Sequence, residues 1–508
     1  MKRLISCVLA LLYIMAGFAS GTWILHGKEY RVDTLYHAYI GPGTTQTSIK
    51  LAGPVNLRVF YTTTDLKNEN VDVRAIKHKD TLTGLGTVSN AAESHSTSNR
   101  SYFAGINADF FSSSMPCGIT VVDGEVYCSD QASGWSLFGI DANKIPYSGG
   151  GDFYVKLTAP DYSTAELSAM NLERETNGLV LYSSRKGANT GTDGNGSEVV
   201  LIPDGEGNFL TPGATVRMRV QGNPNHAGSM PIPDNGYILS GSGTKESFVS
   251  NLSEGDEVEV RCAIRFNGFT GGKIQQALGG CPMLVSGGKV LDTENALDHL
   301  TSAQPRTAVG YNAEKNKLVM LVADGRSSIS VGPISKVLAD IMIYAGCSEA
   351  MNFDGGGSST FYVKGEGVIN QPSDGSERSV TDGLYLSTDA PQNDMTITTI
   401  RFMDYAKNLT QGDASTPVIY GYNQYGVLVD RNVEGVTLSC GSSLGTITND
   451  GTTLNASGSG THMLTAGYGN LTTTLSVTVI GESGISSVDN SQALMIYPNP
   501  CLLYTSDA

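Results

Sequence analysis

Charge is what this sequence has little of. Lys and Arg number 33 and Asp and Glu 49 in 508 residues, so charged side chains make up 16% of the chain, against about 25% in an ordinary soluble domain. The balance, 33 − 49 = −16, leaves no surplus of cations to neutralise a phosphate backbone, which excludes sequence-independent nucleic-acid binding. Neither a C-x-x-C pair nor a His-Glu-x-x-His occurs, so no cysteine zinc site and no zincin helix is written in the chain. His37, His78, His95, His226 and His299 show no ligand spacing. Past the N-terminus no run of 18 apolar residues appears, so the sequence holds no further candidate membrane span.

Glycine, by contrast, is abundant at 61 residues, alongside 40% hydrophobic residues. That is too apolar for disorder and lacks the period of collagen, and it predicts turn-rich, strand-rich globular structure. Met1, Lys2 and Arg3, an apolar stretch too short to span a bilayer, then Gly17, Ala19, Ser20 and Gly21 read as a cleaved export signal over residues 1–21. Of the eight cysteines, Cys7 leaves with that signal and Cys501 lies in the tail. Cys117, Cys128, Cys262, Cys281, Cys347 and Cys440 remain, and the sequence does not choose among their pairings. Cys117 and Cys128 flank a hairpin turning at Asp123-Gly124. A two-residue turn puts Ile119 opposite Cys128 and Cys117 diagonal to it on the same face, within disulfide reach.

Residues 22–388 alternate short apolar runs with Gly, Asn-Gly and Asp-Gly turns, and few helices are expected. The clearest covers residues 332–347: Pro333 suits a first turn, Ile334, Val337, Leu338, Ile341, Met342 and Ala345 share one face, and Gly346 can close it. A weaker one covers residues 86–96. Each precedes a strand, at residues 102–107 and 350–353. Residues 159–266 read as β hairpins. Residues 389–394 look like a linker, and residues 395–480, with alternating apolar and polar positions, resemble a bacterial immunoglobulin-like β-sandwich. Residues 481–500 are similar to the opening of a type IX secretion sorting domain, and residues 501–508 break that pattern and read as a non-native end. The expected fold class is therefore α+β, β-rich with few helices, followed by a β-sandwich.

Two segments echo each other: Asn107-Ala108-Asp109-Phe110-Phe111 and Asn352-Phe353-Asp354-Gly355-Gly356-Gly357-Ser358-Ser359. In each, Asn and Asp sit at i and i+2 near the end of an apolar strand, which puts amide and carboxylate on one face. Three glycines after Asp354 predict a backbone with positive φ whose N–H groups, with the Ser358 and Ser359 hydroxyls, ring an anion. No Lys-Ser/Thr follows, so this is not a Walker loop. Cations to meet such an anion are Arg306, Arg326 and Arg378, able to form charge-assisted, bidentate bonds. The stretch Asp374-Gly375-Ser376-Glu377 offers oxygen ligands for a structural calcium ion, at a spacing that fits no EF-hand. No organic cofactor is expected.

Jointly these blocks, with Gly118–Gly124, Ile232–Leu239, Gly279–Gly288, Arg306–Gly310, Asp324-Gly325-Arg326, Asn370–Asp374 and Arg378–Val380, resemble the phosphodiester glycosidase family in number and order. Where the family usually reads Asn-Gly-Gly-Phe-Phe, this chain has Asn107-Ala108-Asp109-Phe110-Phe111, a change expected to narrow or recharge that part of the pocket. The resemblance implies hydrolysis of a sugar-1-phosphodiester, of the N-acetylglucosamine-1-phosphodiester type, at the anomeric carbon. Asp354, then Asp109, would activate water or attack that carbon. Arg306, Arg378 and the Gly355, Gly356, Gly357, Ser358 and Ser359 loop would neutralise the departing phosphate. Asn107 and Asn352 would bond sugar hydroxyls or orient the carboxylates, and Asp324, Arg326, Asn370 and Asp374 complete the expected binding set. Two rivals stand beside it: a glycosidase for unphosphorylated glycans using Asp109 and Asp354 as acid and base, and a surface glycan-binding protein without turnover. The expected partner is a glycan or sugar-phosphodiester substrate, met outside the cell.

Overall fold

The computed structural model describes residues 21–130, 134–205, 209–267, 269–270, 272–293, 301–404 and 406–481. All but the last residue of the expected export signal, His299, and the tail from residue 482 lie outside them. The protein is mostly β. Its α-helices include Val88–His95, Glu246–Ser250 and Ser335–Tyr344, and among the described residues no helix is long and apolar enough to cross a membrane.

Among the described residues the chain divides into two compact units: Thr22–Ile397 with Tyr422–Val429, and Thr398–Gly421 with residues 430–481. In the larger unit a nine-stranded sheet runs in the order Gly21–Leu25, Lys28–Gly41, Thr44–Ala52, Asn56–Asp65, Lys317–Ala323, Arg306–Tyr311, Glu349–Asn352, Met283–Ser286, Lys289–Val290. A five-stranded sheet runs Gly367–Val368, Phe361–Val363, Ser101–Asn107, Asp382–Thr388, Asp72–Lys77.

The two sheets share one core. Leu318, Met320 and Val322 of the larger sheet meet Ala104, Ile106, Leu384 and Leu386 of the smaller one. Their alternate neighbours Val319, Leu321 and Ala323 face the helix Ser335–Tyr344 instead. Period two thus explains why Lys317–Ala323 reads as an unbroken apolar run: both faces are covered. Each such Leu or Val contributes about 1.5–3 kcal/mol on burial. On the far face of the five-stranded sheet, Ile76, Tyr102, Tyr362 and Tyr385 pack on Val88, Ala91 and Ala92 of the helix Val88–His95. The order of layers is helix, sheet, core, sheet, helix.

Both predicted helices form, and both are shorter than their periodicity. Ile334 stays extended, so the second starts at Ser335. It closes on Gly346 at φ 98°, where Cys347 N–H bonds Met342 O and Gly346 N–H bonds Ile343 O, a Schellman ending that needs glycine. The first is capped by Thr87, whose hydroxyl accepts from Asn90 N–H at 3.3 Å.

Residues 159–266 do form hairpins, within a 13-stranded sheet that also holds Thr120–Val122, Glu125–Cys128, Ser136–Asp141 and Ile274–Gly280. The Asp123-Gly124 turn has both residues at positive φ, 50° and 84°, as its sequence predicts. The disulfide expectation fails. A bulge between Val126 and Cys128 sets Cys128 opposite Thr120 rather than Ile119, and a one-residue shift reverses the faces. Cys117, Cys128, Cys262, Cys281, Cys347 and Cys440 are all free thiols.

The smaller unit has a four-stranded sheet, Ala406–Thr410, Leu471–Ile480, Gly460–Tyr468, Thr437–Cys440, and a three-stranded one, Ala414–Ser415, Thr453–Ala456, Gly445–Thr448. Leu464, Ala466, Leu475, Val477 and Val479 alternate into its interior.

Candidate active site

The nine-stranded and five-stranded sheets of the larger unit are joined by hydrogen bonds at Asn107. Asn107 ends the strand Ser101–Asn107 and is fully buried. Its Oδ1 accepts from Thr307 Oγ1 at 2.8 Å and Thr360 N–H at 3.1 Å, and its Nδ2 donates to Asp354 O at 2.7 Å. Asp354 N–H in turn donates to Ala108 O at 2.8 Å. One buried amide therefore fixes where the strand Glu349–Asn352 ends and where the glycine loop begins.

That loop is a 3-10 turn, Gly356–Ser358, and it differs from expectation. Only Gly356 has positive φ, 63°. The N–H groups of Gly356, Ser358 and Ser359 bond Pro305 O, Gly355 O and Gly356 O, so they do not ring a ligand; the tight turn uses them itself. The other two glycines provide room. A Cβ on Gly355 would lie 2.7 Å from Pro305 O, and one on Gly357 would overlap Arg378 and Asp374.

Three guanidinium groups gather around this loop. Arg378 Nε and Nη2 both donate to Asp374 Oδ2, at 2.8 and 2.6 Å, and its Nη1 lies 3.5 Å from Ser358 Oγ. Arg326, at φ 59°, lies beside Gly356, with Nε donating to Gln304 Oε1 at 2.7 Å and Nη1 to Ser373 Oγ at 3.4 Å. Arg306 opens the strand Arg306–Tyr311 and is 2% exposed. Its Nη2 donates to Ser302 O at 2.5 Å, its Nε has no partner, and no carboxylate among the described residues bonds it. Burial and the neighbouring Arg326 pull its pKa down to about 10. A buried cation without an anion is costly.

Asp354 stands at the mouth of the same loop, partly exposed. Burial pushes its carboxyl up to about 6, against the opposing pull of Ser358, Arg378 and the Gly355 N–H. Asp109 is different. It is 1% exposed; its Oδ2 accepts from Gly118 N–H at 3.0 Å and Gly279 N–H at 3.2 Å, and its Oδ1 is unpartnered. Burial and then the neighbouring Asp382 push its pKa well up. Asp382 is itself buried, accepts from Asp109 N–H at 2.9 Å and Thr381 Oγ1 at 3.0 Å, and feels Lys77.

The remaining expected residues hold the backbone. Asn352 Nδ2 donates to Cys281 O at 2.8 Å and to Phe353 O. Asp324 accepts from Gln371 N–H at 2.9 Å and Asn370 Nδ2 at 3.3 Å, and Asn370 also bonds Ser359 O and Phe361 N–H. Ser359 is buried, 3.2 Å from Thr307 Oγ1. Asp374 and Glu377 do not converge as calcium ligands: the first pairs with Arg378, and the second accepts from Ser89 N–H and Oγ. No cluster of three His, Cys, Asp or Glu suited to a metal exists among the described residues.

The structure therefore brings together Asp354, Arg306, Arg326, Arg378, Asp374 and residues 355–358, with Asp109 behind them. Sequence reasoning missed Asp382 and Lys77, because Asp382-Gly383 looks like a turn; the available signal was a lone charge opening the apolar run Leu384–Leu386.

Residues 211–387 match the family model described as phosphodiester glycosidase. The match takes in the three arginines, Asp354 and Asp382, and leaves Asn107 and Asp109 outside. The prophage-derived uncharacterized protein YomE of Bacillus subtilis is 40% identical over 88 residues, 17% of this chain. The chain spans only 13% of that protein's length. A hypothetical protein from Synechocystis shares the fold at TM-score 0.53 and 16% identity, over 68% of this chain and 62% of its own. So does a protein of Burkholderia pseudomallei K96243, provisionally named as exported, at TM-score 0.50 and 22% identity, over 66% and 75%. The catalytic domain of zebrafish N-acetylglucosamine-1-phosphodiester alpha-N-acetylglucosaminidase superposes at TM-score 0.36 and 13% identity, over 70% and 87%, too loosely for a residue correspondence.

Proposed function

We propose that this protein is an exported hydrolase that cleaves sugar-1-phosphodiesters at the anomeric carbon. The observation that carries the reading is Arg306, a buried guanidinium with no carboxylate partner among the described residues, facing the same loop as Arg326 and Arg378. Its desolvation is compensated when an anion arrives, and a phosphodiester supplies one. A phosphate needs little protonation to depart, so neutralising its oxygens matters more than general-acid help. The C1–O bond breaks, the phosphomonoester leaves with the electron pair, water gives its hydroxyl to C1, and its proton goes to a carboxylate. Asp354 is the carboxylate at the loop that takes this role, since Asp374 is held in an ion pair with Arg378, and it also faces the oxocarbenium-like charge at C1. Asp382, buried behind it, pushes its carboxyl further up. The apolar N-terminus and the provisional name of one structural neighbour support export.

The test is hydrolysis of uridine-diphosphate-N-acetylglucosamine and a simple N-acetylglucosamine-1-phosphodiester by the full chain, beside para-nitrophenyl glycosides. Sugar release from the phosphodiesters alone, at least about 10³-fold lower in the near-isosteric Asp354→Asn, is expected. Release from the nitrophenyl glycosides instead would favour a glycosidase for unphosphorylated glycans, and saturable binding without release a glycan-binding protein.

A further inference from the structure

Phe110 follows Asp109 directly and meets Trp135 edge to face, ring centroids 4.9 Å apart at 69°. Trp135 lines an open groove of about 570 Å³ with Asp130, Gly151, Asp152, Phe153 and Ser168. The groove adjoins the carboxylate end of the site: the Cys117 thiol, whose N–H bonds Phe110 O at 2.9 Å, lies in the field of Asp109, Asp130 and Asp354 together. Its ionised lining groups are acidic, and Asp152 already pairs with Arg265 at 3.3 Å. None of the lining side chains is a cation, so a phosphate finds no partner here. A neutral ring with hydroxyls and one apolar face fits: carboxylates and Ser168 accept and donate to hydroxyls, and an aromatic face packs on C–H groups.

We infer that this groove seats the uncharged sugar of the substrate, with Trp135 as its platform, while Arg306, Arg326 and Arg378 around the Gly355–Ser358 loop seat the phosphate. This rests on the hydrolase reading and adds the side from which the sugar enters. Trp23 and Trp135 are the two tryptophans of the chain, and Trp23 stacks on Tyr344, centroids 4.6 Å apart, away from this site. In a Trp23→Phe background the emission of the full chain therefore reports Trp135 alone. Titration with N-acetylglucosamine is expected to give a saturable emission change that inorganic phosphate does not give. Trp135→Ala should raise KM for the phosphodiester roughly tenfold with a smaller change in kcat, and Trp135→Tyr, which keeps an aromatic face, should restore most of it. No response to the sugar, an equal response to phosphate, or an unmoved KM in Trp135→Ala overturns the inference. A sugar response without turnover in the unaltered protein would sink the hydrolase reading and leave the groove standing.

Discussion

At the scale of single residues, two ionisable side chains are held away from their ordinary behaviour, and each gives a measurable consequence. With its carboxyl pushed up to about 6, Asp354 can take a proton from water only above that pH, so kcat/KM should rise through about 6 and level off. A profile flat from pH 5 to 8 would remove Asp354 from that role. The same shift acts on stability. The folded pKa lies above the unfolded one, so the neutral form's advantage is complete below about 4 and lost as pH rises to about 6. Asp354→Asn should therefore match the native protein in Tm at pH 3.5 and exceed it at pH 7. Arg306 is the second case. If its charge serves a ligand, Arg306→Met should cost about 10²–10³ in kcat/KM while leaving Tm unchanged or higher; a Tm several degrees lower would make Arg306 structural. Asp354 and the arginines were legible because glycine and lone cations stand out in a weakly charged chain. Asn107, Asn352 and Asn370 were harder to place, since nothing in a sequence says whether a buried amide will meet a substrate or a backbone carbonyl.

Elements were read best where their chemistry is local. The Asp123-Gly124 turn and the Gly346 helix ending follow from residues within a turn of themselves, and both form as expected. The bulge after Val126 and the order of strands do not, because they answer to partners far along the chain. Gly118 and Gly279 show the non-local kind of constraint: a Cβ on Gly279 would lie 2.7 Å from Gly118 Cα and 2.7 Å from Asp109 Oδ2. A strand, the bend that leads into another and a carboxylate meet there with no room for a methyl group. Gly279→Ala should destabilise the protein by about 1–3 kcal/mol in denaturant titration, and stability within experimental error of the native chain would refute this close approach.

The whole molecule carries −16, and its proposed substrate is an anion. At low salt the net field opposes encounter, whereas contact pairs at the arginines are hardly screened. From about 10 mM to about 150 mM salt, where the Debye length shortens to about 8 Å, kcat/KM for the phosphodiester should rise; a steep fall would show that long-range attraction outweighs the net charge. One feature of the five-stranded sheet reaches further. Asp382–Thr388 lies between Ser101–Asn107 and Asp72–Lys77, so two of the earliest strands made await one of the last of their unit. An emerging polypeptide keeps a strand-wide slot open between them until residue 388 is delivered. Synthesis itself thus acts as a timer. On the proposed reading, a chain still being threaded out of its cell would be silent toward that cell's phosphodiesters, and a fragment ending short of residue 380 should be revived by adding the missing strand as a peptide.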